Sequence, residues 1–93
     1  MLFMIHCVDK PDSAAIRQEN RDAHLAYLKD HHDKIHAAGP LLHDDTGGGP
    51  TGSLLLMEFP DQAAAEAFAA EDPYNAAGLF ERVEIKPWKQ VLP

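Results

Sequence analysis

The chain reads as one small α+β domain with the order βαββαβ. Two observations carry this expectation. Short apolar runs with two-residue alternation exchange with longer stretches of helical period, and each change falls at a cluster of Pro, Gly, Asp or Ser. With 93 residues there is room for a single domain spanning 1–93 and for no second core. A chain of that size hides little more than roughly 60% of its unfolded surface, so its core is thin and any partner surface is valuable.

The elements follow in order. Leu2 to Val8 is an apolar run closed by Asp9-Lys10-Pro11-Asp12, a first strand. Ser13 is placed to cap a long helix that the periodicity carries to about Ala38, ended by Gly39 and Pro40. Leu41 and Leu42 open a second strand. The stretch His43 to Gly52, with Gly47, Gly48 and Gly49 at its centre, reads as a long hairpin loop, and its role is left open. Ser53 to Phe59 is a third strand. Asp61 caps an alanine-rich helix from Gln62 to about Glu71, which Pro73 ends, and a short turn closes at Gly78. Phe80 to Val91 is the fourth strand, with Pro87 suited to an edge position. This order is the ferredoxin-like or split βαβ arrangement: a four-stranded antiparallel sheet with two helices on one face.

Two helices cover only one face of such a sheet, so the other should show polar residues. The first and third strands do not oblige. Leu2, Met4 and Val8 point one way and Phe3, Ile5 and Cys7 the other; Leu54 and Leu56 oppose Leu55, Met57 and Phe59. A second copy of the same sheet is the simplest cover, which predicts a homodimer.

Composition narrows the function. The net charge of −7 leaves no basic stripe for nucleic acid and disfavours an anionic membrane surface. No apolar run approaches a membrane span, and Met-Leu-Phe-Met-Ile-His lacks the basic start and length of a secretion signal, so a cytoplasmic location is expected. Cys7 is the single cysteine; between apolar neighbours it reads as a buried strand thiol.

On a helical wheel at about 100° per residue, Ile16, Tyr27, Leu28, Ile35 and Ala38 form a stripe that faces the sheet. His24 and His31 fall inside it, Asn20 lies near its centre, and Arg17 and Arg21 flank it. The inward face is therefore polar in its N-terminal half, and clustered polar side chains aimed at a sheet need water, partners or a ligand. Arg17 and Arg21 snorkelling outward, with His24 bonded in the core, is the plainer alternative. Asp72 precedes Pro73 and suits the cap of a short helical turn; a carboxylate there keeps an oxygen free to orient an imidazole. The His32–His36 spacing could grip a metal but lacks a third ligand, and no metal or other cofactor is expected. The glycine run is followed by a strand, whereas a phosphate-binding loop leads into a helix.

Several segments then line up with a known family. His6-Cys7-Val8, the run Arg21 to Leu28, Ala38-Gly39-Pro40-Leu41, Gly52-Ser53, Asp72-Pro73-Tyr74 with Ala77-Gly78-Leu79, and Trp88 together resemble the YciI-like family over nearly the whole chain. The resemblance implies a ferredoxin-like fold that dimerises into an α+β barrel, and a His–Asp pair falling on His24 and Asp72. One member of that family is a dehydrochlorinase acting on a chlorinated hydroxyhydroquinone. A branch with an Asp-Gly-Pro-Phe signature is not matched, since this chain reads Asp45-Thr46-Gly47-Gly48-Gly49-Pro50. The resulting expectation is cofactor-free acid–base chemistry, an elimination or isomerisation, on a small cyclic or aromatic substrate. His24 would move the proton, Asp72 would hold its ring, Arg17 or Arg21 would meet an oxyanion or carboxylate, and Ser53 would donate to substrate. The competing expectation is a module of the same fold that binds a metabolite, or only dimerises, without turnover.

Overall fold

Strand β1, Leu2–Asp9, is central, and its alternation sets the inside and outside of the molecule. Phe3, Ile5 and Cys7 are buried on the helix side, while Leu2, Met4, His6 and Val8 are half-buried on the other. A computed structural model describes residues 1–93. Helix α1 (Ala14–Asp30) is followed by a 3₁₀ turn (His32–Lys34), strands β2 (Ile35–Asp44) and β3 (Gly47–Glu58), helices α2 (Gln62–Ala70) and α3 (Pro73–Ala76), and strand β4 (Phe80–Trp88). The sheet order is β2-β3-β1-β4 with every pair antiparallel, so each βαβ crossover passes over one intervening strand. This is the ferredoxin-like arrangement. No helix is long and apolar enough to cross a membrane.

Three boundaries differ from expectation, each for a physical reason. Helix α1 stops at Asp30, not Ala38. Continued to Ala38 it would be about 37 Å long, whereas the longest dimension of the whole molecule is 34 Å. Ile35, Ala37 and Ala38 instead pair with Met57, Leu56 and Leu55, where the edge of β3 satisfies their backbone. His32 and His36 therefore lie on different elements and do not share a helical face. No three His, Cys, Asp or Glu side chains come together as a metal site.

The long loop expected over His43–Gly52 is mostly strand. Asp44 pairs with Gly47, leaving Asp45-Thr46 as the turn, where the Asp44 carboxylate accepts hydrogen bonds from the Thr46 backbone N–H and hydroxyl. Gly47, Gly48 and Gly49 all take positive φ, which glycine does without strain, and the register shifts around Leu42 accompany them. Gly52 has a different reason: a Cβ there would stand 2.2 Å from the Cys7 carbonyl oxygen. At the other end, β4 stops at Trp88, not Val91; Trp88 pairs with Leu2, the first residue of β1, so residues past it have no strand partner. Pro87 sits on this edge strand, where a missing N–H is tolerated.

The caps are local. Asp61 accepts from Ala64 N at 2.8 Å and starts α2; Asp72 accepts from Tyr74 N at 2.9 Å and starts α3, with Pro73 in the first turn. Ser13 occupies the cap position of α1, but its hydroxyl donates back to Lys10 O at 2.6 Å instead of capping. The apolar core is built by β1, β3 and α2, from Phe3, Ile5, Cys7, Leu55, Met57, Phe59, Ala65, Phe68 and Ala69. Tyr27 and Leu28 join it from the C-terminal half of α1, and Tyr27 Oη donates to Phe68 O at 2.7 Å. The N-terminal half of α1, Ile16 included, adds no side chain to this core. It packs against α3 and leaves a cleft between itself and the β2–β3 hairpin.

Candidate active site

That cleft is a cavity of about 560 Å³, within the size range of small-molecule sites. Helix α1 supplies Arg17, Gln18, Arg21 and His24 on one side. The hairpin supplies Ala38, Gly39, Pro40 and Pro50 opposite, with Ser53 and Leu55 below and Tyr74 at the α3 end. The segments that change from helix and loop to strand are thus the far wall of the cavity.

His24 and Asp72 meet. Nδ1 of His24 lies 2.9 Å from Asp72 Oδ1, and both side chains are almost fully buried. A carboxylate only accepts, so Nδ1–H donates and the neutral ring carries its lone pair on Nε2. Nε2 makes no hydrogen bond within the chain, and no buried side-chain nitrogen or oxygen lacks a partner; Nε2 is therefore open to the cavity side. Asp72 also caps α3, so its carboxylate is fixed by backbone before it meets the imidazole. The Tyr74 ring stacks on His24 with centroids 4.0 Å apart and planes 15° apart.

Arg17 is buried beside this pair. Its Nε and Nη2 bind both oxygens of Asp9, at 2.8 and 2.9 Å, and Nη2 also donates to Ser53 Oγ at 3.1 Å. Burial would favour loss of the Arg17 charge, but the hydrogen bond and charge of Asp9 outweigh it and raise its pKa. Its guanidinium carbon lies 4.7 Å from the centre of the Tyr74 ring. Arg17 is thus already charge-compensated where it stands, while Arg21 is exposed at the rim. Ser53 is buried on the cavity floor. Asn20 turns its amide to the Ile16 carbonyl and takes no part.

Sequence reasoning did not single out Asp9 or Tyr74. Asp9 read as the end of a strand; an arginine on the inward face of the following helix was the signal that a carboxylate should be near. Tyr74 stood two residues after Asp72, at the position whose N–H the cap binds.

Cys7, paired across the sheet with Ser53, is buried at 3% exposure. Burial, then the nearby charges of Asp72 and Asp9, push its thiol up to about 12, against an opposing effect of Arg17. Because the unfolded thiol ionises first, stability is undiminished below an ordinary value of 9.0 and falls as pH rises from there towards 12. The accompanying expectation is slow labelling by iodoacetamide in the folded protein near neutral pH and rapid labelling in urea, read by mass spectrometry. Rapid stoichiometric labelling of the native chain would contradict it.

The fold and cleft define an α+β domain with a buried imidazole–carboxylate pair at the wall of a small-molecule-sized cavity. The chain belongs to the YCII-related domain family, whose model matches residues 1–89. Protein YciI of Escherichia coli O6:H1 is 43% identical over 98 residues, covering 99% of this chain and 100% of that protein. An uncharacterized protein of Haemophilus influenzae is 35% identical over the same span. Among solved structures, 5-chloro-2-hydroxyhydroquinone dehydrochlorinase from Burkholderia phenoliruptrix, in complex with 2,5-dihydroxybenzoquinone, matches with a TM-score of 0.91 at 40% identity, covering 96% of this chain and 94% of that one. A more distant antibiotic biosynthesis monooxygenase structure from Nitrosomonas europaea shares the fold alone, with a TM-score of 0.54 at 15% identity and 98% of each chain covered.

Proposed function

We propose that this protein is a cofactor-free enzyme that moves protons on a small hydroxylated cyclic or aromatic substrate. The observation that carries the reading is the 2.9 Å His24–Asp72 contact, which leaves Nε2 as the free base at the cavity. Nε2 takes a proton from a substrate hydroxyl or activated carbon. The electron pair released then shifts a double bond or expels a leaving group on the neighbouring carbon. The imidazolium, stabilised by Asp72, returns its proton to carbon or gives it to the medium with the departing group. Asp72 acts by holding the ring and its tautomer. Ser53, whose oxygen already accepts from Arg17, keeps its proton for a substrate oxygen, and Arg21 at the rim meets an anionic group.

The similar dehydrochlorinase supports this choice of class, since loss of HCl from a hydroxylated ring is an elimination of this kind. The test is turnover of a panel of halogenated and hydroxylated rings, including 5-chloro-2-hydroxyhydroquinone, followed by chloride release and by ring deuteration in D₂O. Catalysed release or exchange supports the proposal. Binding of 2,5-dihydroxybenzoquinone with neither release nor exchange across the panel would make the cavity a metabolite-binding site instead.

The working unit in this reading is a homodimer in the cytoplasm, where the lone Cys7 stays reduced. Its support is the helix-free sheet face, where Leu2, Met4, Val8 and Leu56 are half-buried and Leu54 and Trp88 are each 37% exposed. A stable pair is expected to bury on the order of 1,200–2,000 Å² in total. Light scattering at micromolar concentration should return twice the chain mass of 10.2 kDa. A monomeric mass there would remove the dimer from the proposal.

A further inference from the structure

Tyr74 heads the large, fully buried side chains of the molecule, yet its position differs from that of a filler. One face of its environment is His24, stacked at 4.0 Å; the Arg17 guanidinium carbon lies 4.7 Å from its centroid, and its own backbone N–H shares Asp72 Oδ1 with His24. Arg17 cannot swing away, because Asp9 grips it twice and Ser53 once. The ring is thus held by groups that are themselves held.

The hydroxyl at the end of that ring meets Arg17 through its oxygen, and its proton is not committed. No acceptor in the chain takes its proton, no buried side-chain oxygen is left without a partner, and Tyr74 lines the cavity. Burial raises the phenol above its ordinary value, although Arg17 and Arg21 draw it the other way, so it stays neutral and able to donate. Ser53 is its counterpart, since Arg17 also holds that hydroxyl through its oxygen and leaves the proton available. With the Arg17 charge compensated by Asp9, two neutral donors remain anchored on a single guanidinium, facing a cavity whose lining holds no carboxylate.

We propose that Tyr74 contacts substrate directly: its hydroxyl, together with that of Ser53, donates to a phenolate or enolate oxygen while His24 moves the proton beside it. The inference rests on the acid–base reading above and adds to it a substrate class, a ring bearing an ionised oxygen. Neutral donors held in a water-poor site stabilise charge that develops on such an oxygen without having to reorganise.

The test is titration of the wild type and of Tyr74→Phe with 2,5-dihydroxybenzoquinone, by calorimetry and by the absorbance of the ligand. Phenylalanine keeps the ring on which His24 stacks and removes only the hydroxyl, so a packing role would not register. An unchanged melting temperature with affinity weakened about 10- to 100-fold, the usual effect of deleting a hydrogen bond to a charged group, supports the proposal. Equal affinities would overturn the role of Tyr74 and leave the His24 reading standing. Failure of the wild type to bind would overturn both, because the cavity would then not accept a ring of this class.

Discussion

His24→Asn is expected to lower turnover about 10²–10⁴-fold while the protein stays folded and ligand binding changes little. Asparagine can present an N–H where His24 Nδ1 now meets Asp72 at 2.9 Å, so the buried carboxylate keeps a donor. What disappears is Nε2, the one atom of the pair free to exchange a proton with a ligand. The companion variant Asp72→Asn separates the two duties of that residue. Asparagine caps a helix about as well as aspartate, so α3 and the Tyr74 N–H bond should survive. The negative charge that supports an imidazolium does not, and activity should fall with stability nearly intact. The measurement is kcat and KM on whichever substrate of the panel is turned over, beside a melting curve. Unchanged kcat in His24→Asn, in a folded protein, would remove the imidazole from the chemistry.

Arg17→Met should have the largest effect on stability, a loss of about 3–5 kcal/mol, because it leaves the Asp9 carboxylate buried without its partner. The Asp9 side chain is only 7% exposed, and both of its oxygens bind this one guanidinium. A domain of this length is stable by roughly 5–15 kcal/mol, so the melting temperature should drop on the order of 15 °C or more. Adding Asp9→Leu should return much of that loss, since two apolar residues need no mutual charge. Urea denaturation of the two variants and the wild type supplies the comparison. A loss under about 1 kcal/mol in the single variant would mean that water reaches Asp9 and that Arg17 is not the clamp described.

Much of the fold was legible because its signals are local. Alternation in Leu2–Val8 and Ser53–Phe59 gave two strands, and Asp61 and Asp72 marked two helix starts by the chemistry of a carboxylate two or three residues before a free N–H. The inward, polar half of α1 pointed to a cleft because buried arginine and histidine must find partners. The resemblance to a family was already carried by residues along nearly the whole chain.

Other features had no local signal. Ile35 and Ala38 fit the helical stripe as well as they fit a strand, and only the open edge of β3 chose between them. The glycines of 47–49 look flexible in one dimension; paired across the hairpin they become strand and bring Pro50 to the cavity wall. Asp9, Arg17, Ser53 and Tyr74 come from four separate elements, and what joins them is the antiparallel register of β1 with β3 and the packing of α1 on α3. The sequence by itself determined the order of elements and the family, and it pointed to His24 and Asp72 as a candidate pair, because periodicity, caps and burial preference act over a few residues. The tertiary structure alone decided where α1 ends, what walls the cavity and which side chains clamp one another, because those depend on contacts between residues far apart in the chain, such as His24 and Asp72, 48 positions apart.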